Sequence, residues 1–266
     1  MPRIVAVANM KGGTGKTTTA VNLAAGLIVL DKTARVLVID LDPQANLSIT
    51  FGIDITKLPV SMSEILLDDD LGFEYAIHKK GRLHIAPSTI RLALTQRQLQ
   101  SITAGEFNLR DKLDQIKDDY DFIIIDTPPQ LSTLLDSALY VCQEILIPID
   151  VGYYSMLGIQ ELLTVVERVK KMNKEIEISG VLITFAEHTI LFRDVLENAR
   201  REFGPKVFNT TIRKNVRLAE APSAHQTIYE YDPECIGATD YLNFVREFLT
   251  WRRPGRSALN RGEAHL

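Results

Sequence analysis

Cysteine is scarce in this chain. Cys142 and Cys235 are its only thiols among 266 residues, too few for a disulfide framework. Nothing at the N-terminus resembles a secretory signal, so a reducing cytoplasm is the expected compartment. No apolar run approaches the roughly 20 residues that span a bilayer. Excess positive charge is also missing, the formal net charge being −4. That argues against a uniformly basic nucleic-acid binder but leaves room for a local basic patch. Repeats, low-complexity tracts and clear linkers are absent before Pro254. What is present is an ordinary globular composition, 45% apolar and 24% charged, and a length that suits one large α/β domain. A single domain is expected over residues 1–253. Residues 254–266, with Gly, Ser, Asn and charges, are expected to form a disordered tail.

Residues 4–8, IVAVA, are a short apolar run rich in β-branched side chains, and a glycine loop follows at once. Residues 17–30 place Ala20, Leu23, Ala24 and Leu27 at helical spacing. Further buried strands are predicted at 36–40, 83–86, 122–126, 144–149 and 178–184, with a last one at 207–211. Helical patterns fill 156–172, 191–203 and 235–251. Strands that are apolar throughout and alternate with helices predict a mostly parallel central sheet covered on both faces, a three-layer α/β/α architecture.

The loop reads NMKGGTGKTTTA over residues 9–20. The common phosphate-binding spelling is G-x-x-x-x-G-K-[ST], yet Met10 stands where its first glycine belongs and a second lysine, Lys11, follows. Strand, glycine loop and helix are still the context that such a motif needs. Backbone N–H groups of Gly12, Gly13, Thr14, Gly15, Lys16 and Thr17 can wrap phosphate oxygens beside the helix N-terminus. Lys16 would bridge the β- and γ-phosphates, the Thr17 hydroxyl would ligate Mg²⁺, and Thr18 would reach the α-phosphate. A second signal is the apolar strand FIIID, ending at Asp126 and followed by Thr127-Pro128-Pro129. In a parallel sheet the strand C-termini share the ligand edge, so Asp126 is a candidate for the magnesium side. Asp40 and Asp42 follow the second strand and, two apart in extended chain, share a face. Asp40 is expected to support the metal shell and Asp42 to orient the attacking water.

Lys11-Gly12-Gly13-Thr14-Gly15-Lys16-Thr17 resembles the deviant Walker A box of the ParA/MinD ATPases. Asp40-Leu41-Asp42-Pro43-Gln44-Ala45-Asn46 is similar to the family's D-x-D-P-Q-G-N segment, with Ala45 for its glycine. Asp126-Thr127-Pro128-Pro129 resembles its Walker B. NVRLAEAPS at 215–223 and YDP at 231–233 resemble the ParA/Soj partition branch. The likeness covers about residues 3–250. It implies a P-loop NTPase fold, ATP and Mg²⁺ as cofactors, and a nucleotide-sandwich homodimer in which Lys11 reaches the partner's phosphates. Lys11, Lys16 and Asp42 then make up the implied catalytic set. It further implies ATP-state binding to DNA without sequence preference, hydrolysis stimulated by a ParB-like or cargo-adaptor protein, and nucleoid association while cargo is positioned. Since the box begins at residue 11, no operator-binding extension is expected.

Between 193 and 217 lie seven basic residues (Arg193, Arg200, Arg201, Lys206, Arg213, Lys214 and Arg217) against three acids, a local excess of basic charge in an acidic chain. Arg193, Arg213, Lys214 and Arg217 are the DNA-contact candidates. Two departures bear on them. The family's I-P-R-N reads Ile212-Arg213-Lys214-Asn215, and its D-A-R-T reads Ala186-Glu187-His188-Thr189, so an arginine is missing. Asn215 and the backbone near Thr184 and Phe185 are candidates for adenine contact. Tyr153-Tyr154 and Leu157-Gly158 resemble the family's interface stretch, although Gly152 replaces its usual glutamate.

The rival reading is a MinD-like membrane-surface regulator, which needs a terminal amphipathic helix. Phe244, Val245, Phe248, Leu249 and Trp251, beside Arg246, Arg252 and Arg253, could supply one. Docking of those apolar residues on the core is the simpler expectation, with no stable membrane association. An iron–sulfur carrier would need cysteines in glycine-flanked ligand loops, and neither Cys142 nor Cys235 lies in one.

Overall fold

The computed structural model describes residues 2–152 and 157–250. Seven strands form one sheet: β1 (Arg3–Val7), β2 (Val36–Asp40), β3 (His78–Lys80), β4 (Leu83–Ala86), β5 (Phe122–Asp126), β6 (Glu144–Asp150) and β7 (Glu177–Thr184). Their spatial order is β3-β4-β2-β5-β1-β6-β7. Only the β3–β4 pairing is antiparallel. The longer helices are α1 (Lys16–Leu30), α2 (Leu92–Ser101), α3 (Thr133–Val141), α4 (Leu157–Val169), α5 (Ile190–Phe203) and α6 (Ile236–Thr250).

The all-apolar strands are explained by the two faces they serve. Successive side chains of a strand point to opposite sides. Ile4 and Ala6, with Leu37, Ile39, Ile123 and Ile125, enter the core beneath α3 and α4. Val5 and Val7, with Val36, Val38 and Ile124, enter the second core beneath α1 and α6. The α1–α6 contact is close: a Cβ on Gly26 would lie 2.8 Å from Val245 Cγ2. Tyr241, Phe244, Val245 and Phe248 form the buried face of α6. Phe244 meets Phe208 edge to face at 5.0 Å.

Chain direction and order place the functional edge. β1 lies between β5 and β6, so the loop after it emerges at the switch in the strand order, where parallel α/β sheets bind ligands. Asp40 and Asp126 sit side by side in the β2–β5 register, and Val7 pairs with Asp126 across β1–β5.

Two elements differ from the sequence expectation. β3 is a polar, fully exposed three-residue strand, HKK, without the apolar pattern that marks the others. Residues 207–211 form no strand. Their backbone is joined to β7 by the single bridge Val181–Val207 and hydrogen bonds such as Phe208 N to Val181 O at 3.0 Å. Glu247 of α6 takes the backbone N–H groups of Asn209 and Thr210 at 2.7 and 2.9 Å, the second of which a continued ladder to β7 would have used. The proposed tail 254–266 lies outside the described residues, as do Tyr153, Tyr154, Trp251, Arg252 and Arg253.

The Phe208 ring rests on the bare backbone of Gly180, whose added Cβ would come within 2.1 Å of Phe208 Cε2. Phe208 is buried and cannot swing clear. Gly180→Ala should therefore destabilise the protein by about 1–3 kcal/mol through overpacking. Urea unfolding measures this, and wild-type stability in the variant would show that the ring is not held there.

Candidate functional site

The loop after β1 needs glycine at two places. Gly13 and Gly15 have φ of 75° and 80°, the left-handed region that side chains disfavour. α1 then starts at Lys16 without any side-chain cap. Ser132 and Thr189, by contrast, cap α3 and α5 by accepting from Leu135 N and Phe192 N. The first N–H groups of α1 thus remain available to an anion, and the helix dipole favours one there. Thr14 is 1% exposed, and its Oγ1 has no hydrogen-bond partner. Thr184 Oγ1 fixes the loop from β7 by donating to Thr14 O at 3.0 Å.

Asp126, fully buried, accepts from Thr17 Oγ1 through Oδ2 at 2.7 Å. Its other oxygen, Oδ1, has no partner. These two orphans, Thr14 Oγ1 and Asp126 Oδ1, are the buried side-chain polar atoms without a partner among the described residues. One can donate to a phosphate and the other can face a cation, so the pair fits a metal-bound polyphosphate. Burial raises the Asp126 pKa well above the carboxylate range, with Asp40 adding to the shift. Asp40, also buried, is pushed up to about 6 by burial against its hydrogen bonds. Its oxygens accept from Ser48 Oγ at 2.7 Å, Ser48 N at 3.0 Å and Asp42 N at 3.1 Å. Asp40 therefore anchors the turn that carries Asp42, an internal duty the sequence did not suggest. Asp42 itself accepts from Gln44 N at 2.9 Å.

Lys16 is 7% exposed and its ammonium donates to Lys11 O at 3.0 Å, closing the loop on itself. Burial lowers its pKa, and the charges of Asp126 and Asp42 oppose that shift. Lys11 points the other way. Its Nζ donates to both oxygens of Asp150 at 2.9 and 2.7 Å. Asn9 supports it by accepting from Lys11 N at 3.0 Å while donating to Pro148 O at 2.7 Å. The first turn of α4 presses on this spot, for a Cβ on Gly158 would lie 2.9 Å from Asn9 Oδ1. Asp150 was not singled out from the sequence. A signal existed: β2, β5 and β6 each end in aspartate on the same edge.

Residues 2–178 match the AAA domain family. The chain is similar to the sporulation initiation inhibitor protein Soj of Bacillus subtilis, 39% identical over 93% of this chain and 98% of that protein. It is similar to the chromosome partitioning protein ParA of Caulobacter vibrioides, 33% identical over 94% of this chain and 95% of the relative. This chain belongs to the ParA/Soj family of partition ATPases. Among solved structures it resembles a cobyrinic acid a,c-diamide synthase from Mycobacterium smegmatis with bound ADP and magnesium. The TM-score is 0.81 at 29% identity, covering 94% of each chain.

The four basic residues proposed for DNA are not equivalent in this ParA/Soj-family chain. Arg193 is exposed and makes no ion pair among the described residues. Lys214 pairs with Glu187 at 3.2 Å and Arg217 with Glu220 at 2.9 Å, all partly exposed. Such surface pairs are readily exchanged for phosphate. Arg213 is committed. Its Nε and Nη2 bind the two oxygens of Asp240 at 3.0 and 2.5 Å, and its backbone N donates to the same carboxylate at 3.0 Å. The Asp240 side chain is 6% exposed. Removing one partner of a fully buried pair costs about 3–5 kcal/mol, and somewhat less here because Arg213 is half exposed. A phosphate contact would have to offset that loss.

Asn215 caps the short helix Val216–Glu220 by accepting from Arg217 N at 2.8 Å. With Thr184 and Phe185 it lines a cavity of about 140 Å³ that begins at Gly15 and Thr18. The adenine candidates are thus gathered in one place. A second cavity of about 380 Å³ lies beside Thr17, Asn46 and His225. Phe244, Val245 and Phe248 are buried, so the apolar side of α6 is spent on the core. No helix of the described residues is long and apolar enough to cross a membrane.

Both buried carboxyls carry pKa values raised by folding. A raised carboxyl contributes stability below its ordinary pKa near 4, and that contribution is lost as pH climbs through the folded value. For Asp40 that value is about 6. The nucleotide- and magnesium-free protein should therefore lose stability as pH rises from about 4 through about 6, and Asp126→Asn should lessen the loss by removing one of the two charges. Thermal melting across that range is the check; an unchanged pH slope in the variant would contradict the coupling of these groups.

Proposed function

We propose that this chain is a Mg²⁺-dependent ATPase of ParA type that dimerises on ATP, binds DNA without sequence preference, and lets go after hydrolysis stimulated by a partner protein. The observation that carries the reading is the pair of buried orphans, Thr14 Oγ1 in the loop before an uncapped helix start and Asp126 Oδ1 on the carboxylate that accepts from Thr17 in that helix. They match the two halves of one ligand, phosphate oxygen and metal ion. Relatives named for chromosome partitioning, and a neighbour crystallised with ADP and magnesium, support the same reading.

The residues divide the work. The loop N–H groups, Thr14, Lys16 and Thr18 hold the triphosphate. Thr17 and Asp126 are the groups that would hold Mg²⁺, which when bound neutralises phosphate charge. Asp40 holds the 40–48 turn in place through Ser48 and the Asp42 N–H. Asp42 orients the attacking water at the end of that turn. Lys11 serves the partner: it leaves Asp150 and places its ammonium over the other chain's phosphates, where an added cation stabilises the charge that develops in transfer. The exchange links self-association to the triphosphate, since two opposed polyphosphates repel without bridging cations.

DNA affinity rests on Arg193, Lys214 and Arg217, with Arg200 and Arg201 on the exposed side of α5. The cargo and the activating protein follow from the family likeness: a plasmid, chromosome origin or protein assembly moved with a ParB-like partner, with nucleoid association in the ATP state. The membrane-surface alternative gains nothing from α6, whose apolar residues are buried.

Two measurements test this function together. Asp42→Ala should keep ATP affinity and slow turnover by about 100-fold or more, the low end for loss of a proton-transfer or water-orienting group. The stalled variant should remain on DNA with ATP, and wild type should bind DNA with ATP far better than with ADP, with affinity falling steeply as salt rises. Rapid turnover by Asp42→Ala, or equal DNA binding in ADP, would refute the assignment.

A further inference from the structure

Arg213 has the wrong setting for a DNA contact. The same loop that carries it forms one wall of the small cavity beginning at Gly15 and Thr18. Ile212, Leu218 and Tyr241 supply its apolar lining, and Phe185 completes it from the end of β7. Phe185 adopts φ 54°, a conformation uncommon outside glycine, so its placement is imposed by the surroundings. α6 contributes two successive residues: Tyr241 to the lining, and Asp240 to the clamp on Arg213. Tyr241 OH lies 3.2 Å from Thr19 Oγ1, which ties this part of α6 to α1 behind the phosphate loop.

The clamp determines what the guanidinium can do. Two N–H donors are fixed on separate oxygens of Asp240, and the backbone N–H at position 213 adds a third bond to the same carboxylate. The guanidinium plane is thereby fixed, and its charge is largely answered within the chain. A guanidinium paired with a carboxylate and held in one plane is a poorer partner for an extended polyanion than a mobile one. It is a good surface for a flat aromatic ring, because guanidinium stacks on π systems. The cavity is small, apolar and adjacent to the start of α1, where the α-phosphate side of a nucleotide would lie.

We propose that Arg213, locked by Asp240, is a base-binding residue of the nucleotide pocket, packing its guanidinium plane on the purine of ATP, and that it takes no part in DNA binding. This rests on the reading above that the loop holds a nucleoside triphosphate. It reassigns Arg213 from the basic patch to nucleotide selection.

The test compares a ligand that has a base with one that lacks it. Calorimetric titrations with Mg·ATP and with magnesium tripolyphosphate are run on wild type, Arg213→Ala and Arg213→Lys, each first checked for cooperative melting. Arg213→Ala should lose tenfold or more in ATP affinity and keep its tripolyphosphate affinity within twofold. Arg213→Lys keeps the charge without the plane, and should recover only part of the loss. In the same variants the salt dependence of DNA binding should be that of wild type. Equal losses for both ligands, unchanged ATP affinity in Arg213→Ala, or full rescue by lysine would each overturn the proposal. So would a fall of about 0.9 in the slope of log affinity against log salt, the signature of one lost phosphate contact. Wild-type protein that takes up neither ligand would overturn the ATPase reading along with it, whereas ATP binding that is indifferent to position 213 would remove this inference alone.

Discussion

Two aspartates side by side on adjacent strands, both sealed from water, set the conditions for everything around them. Asp40 and Asp126 are register partners at the C-terminal edge of β2 and β5. Each resists ionisation because of burial; the charge of Asp40 pushes Asp126 further up, and the charge of Asp42 does the same to Asp40. The chain answers the two differently. Asp40 is satisfied internally by Ser48 and the backbone of Asp42. Asp126 is left with one oxygen on Thr17 and one oxygen open. Lys16, itself buried, partly answers the shared charge. That open oxygen suits the proposed role of Asp126 beside Mg²⁺, since a buried carboxylate oxygen without a donor can face a cation.

Several cations of this chain are held by internal partners, and the strength of each hold bears on what that cation can do. Lys11 lies on Asp150, a pair with both side chains partly exposed. A triphosphate with several formal charges can compete with a single carboxylate for that ammonium. Lys214 and Arg217 are likewise paired at the surface, where ion pairs contribute little. Arg213 is held by a buried carboxylate and three hydrogen bonds, and leaves it only at substantial cost. Residues that look alike in a basic stretch thus separate into movable and fixed charges.

That separation was not legible in the sequence. The phosphate loop, the strand ending in Asp126 and the Asp40–Asp42 pair were, because strand, glycine and lysine spacing are local signals and the parallel sheet gathers strand ends by rule. The counter-ions were not, because Asp150 and Asp240 lie 139 and 27 residues from the cations they hold. β3 escaped notice because three exposed polar residues carry no periodicity. The strand expected at 207–211 had the right composition, but Glu247 on α6 captured the N–H groups of residues 209 and 210. At 207–211 a contact distant in sequence overrode a local preference.

Lys11 is proposed to exchange a carboxylate of its own chain for the phosphates of a second chain. Light scattering of the protein saturated with Mg²⁺ and a non-hydrolysable ATP analogue measures it most directly, alongside Lys11→Ala under the same conditions. Wild type should form a dimer, and the variant should stay a monomer that still binds the analogue. A monomeric wild type at saturation, or a variant that dimerises as readily, would contradict it.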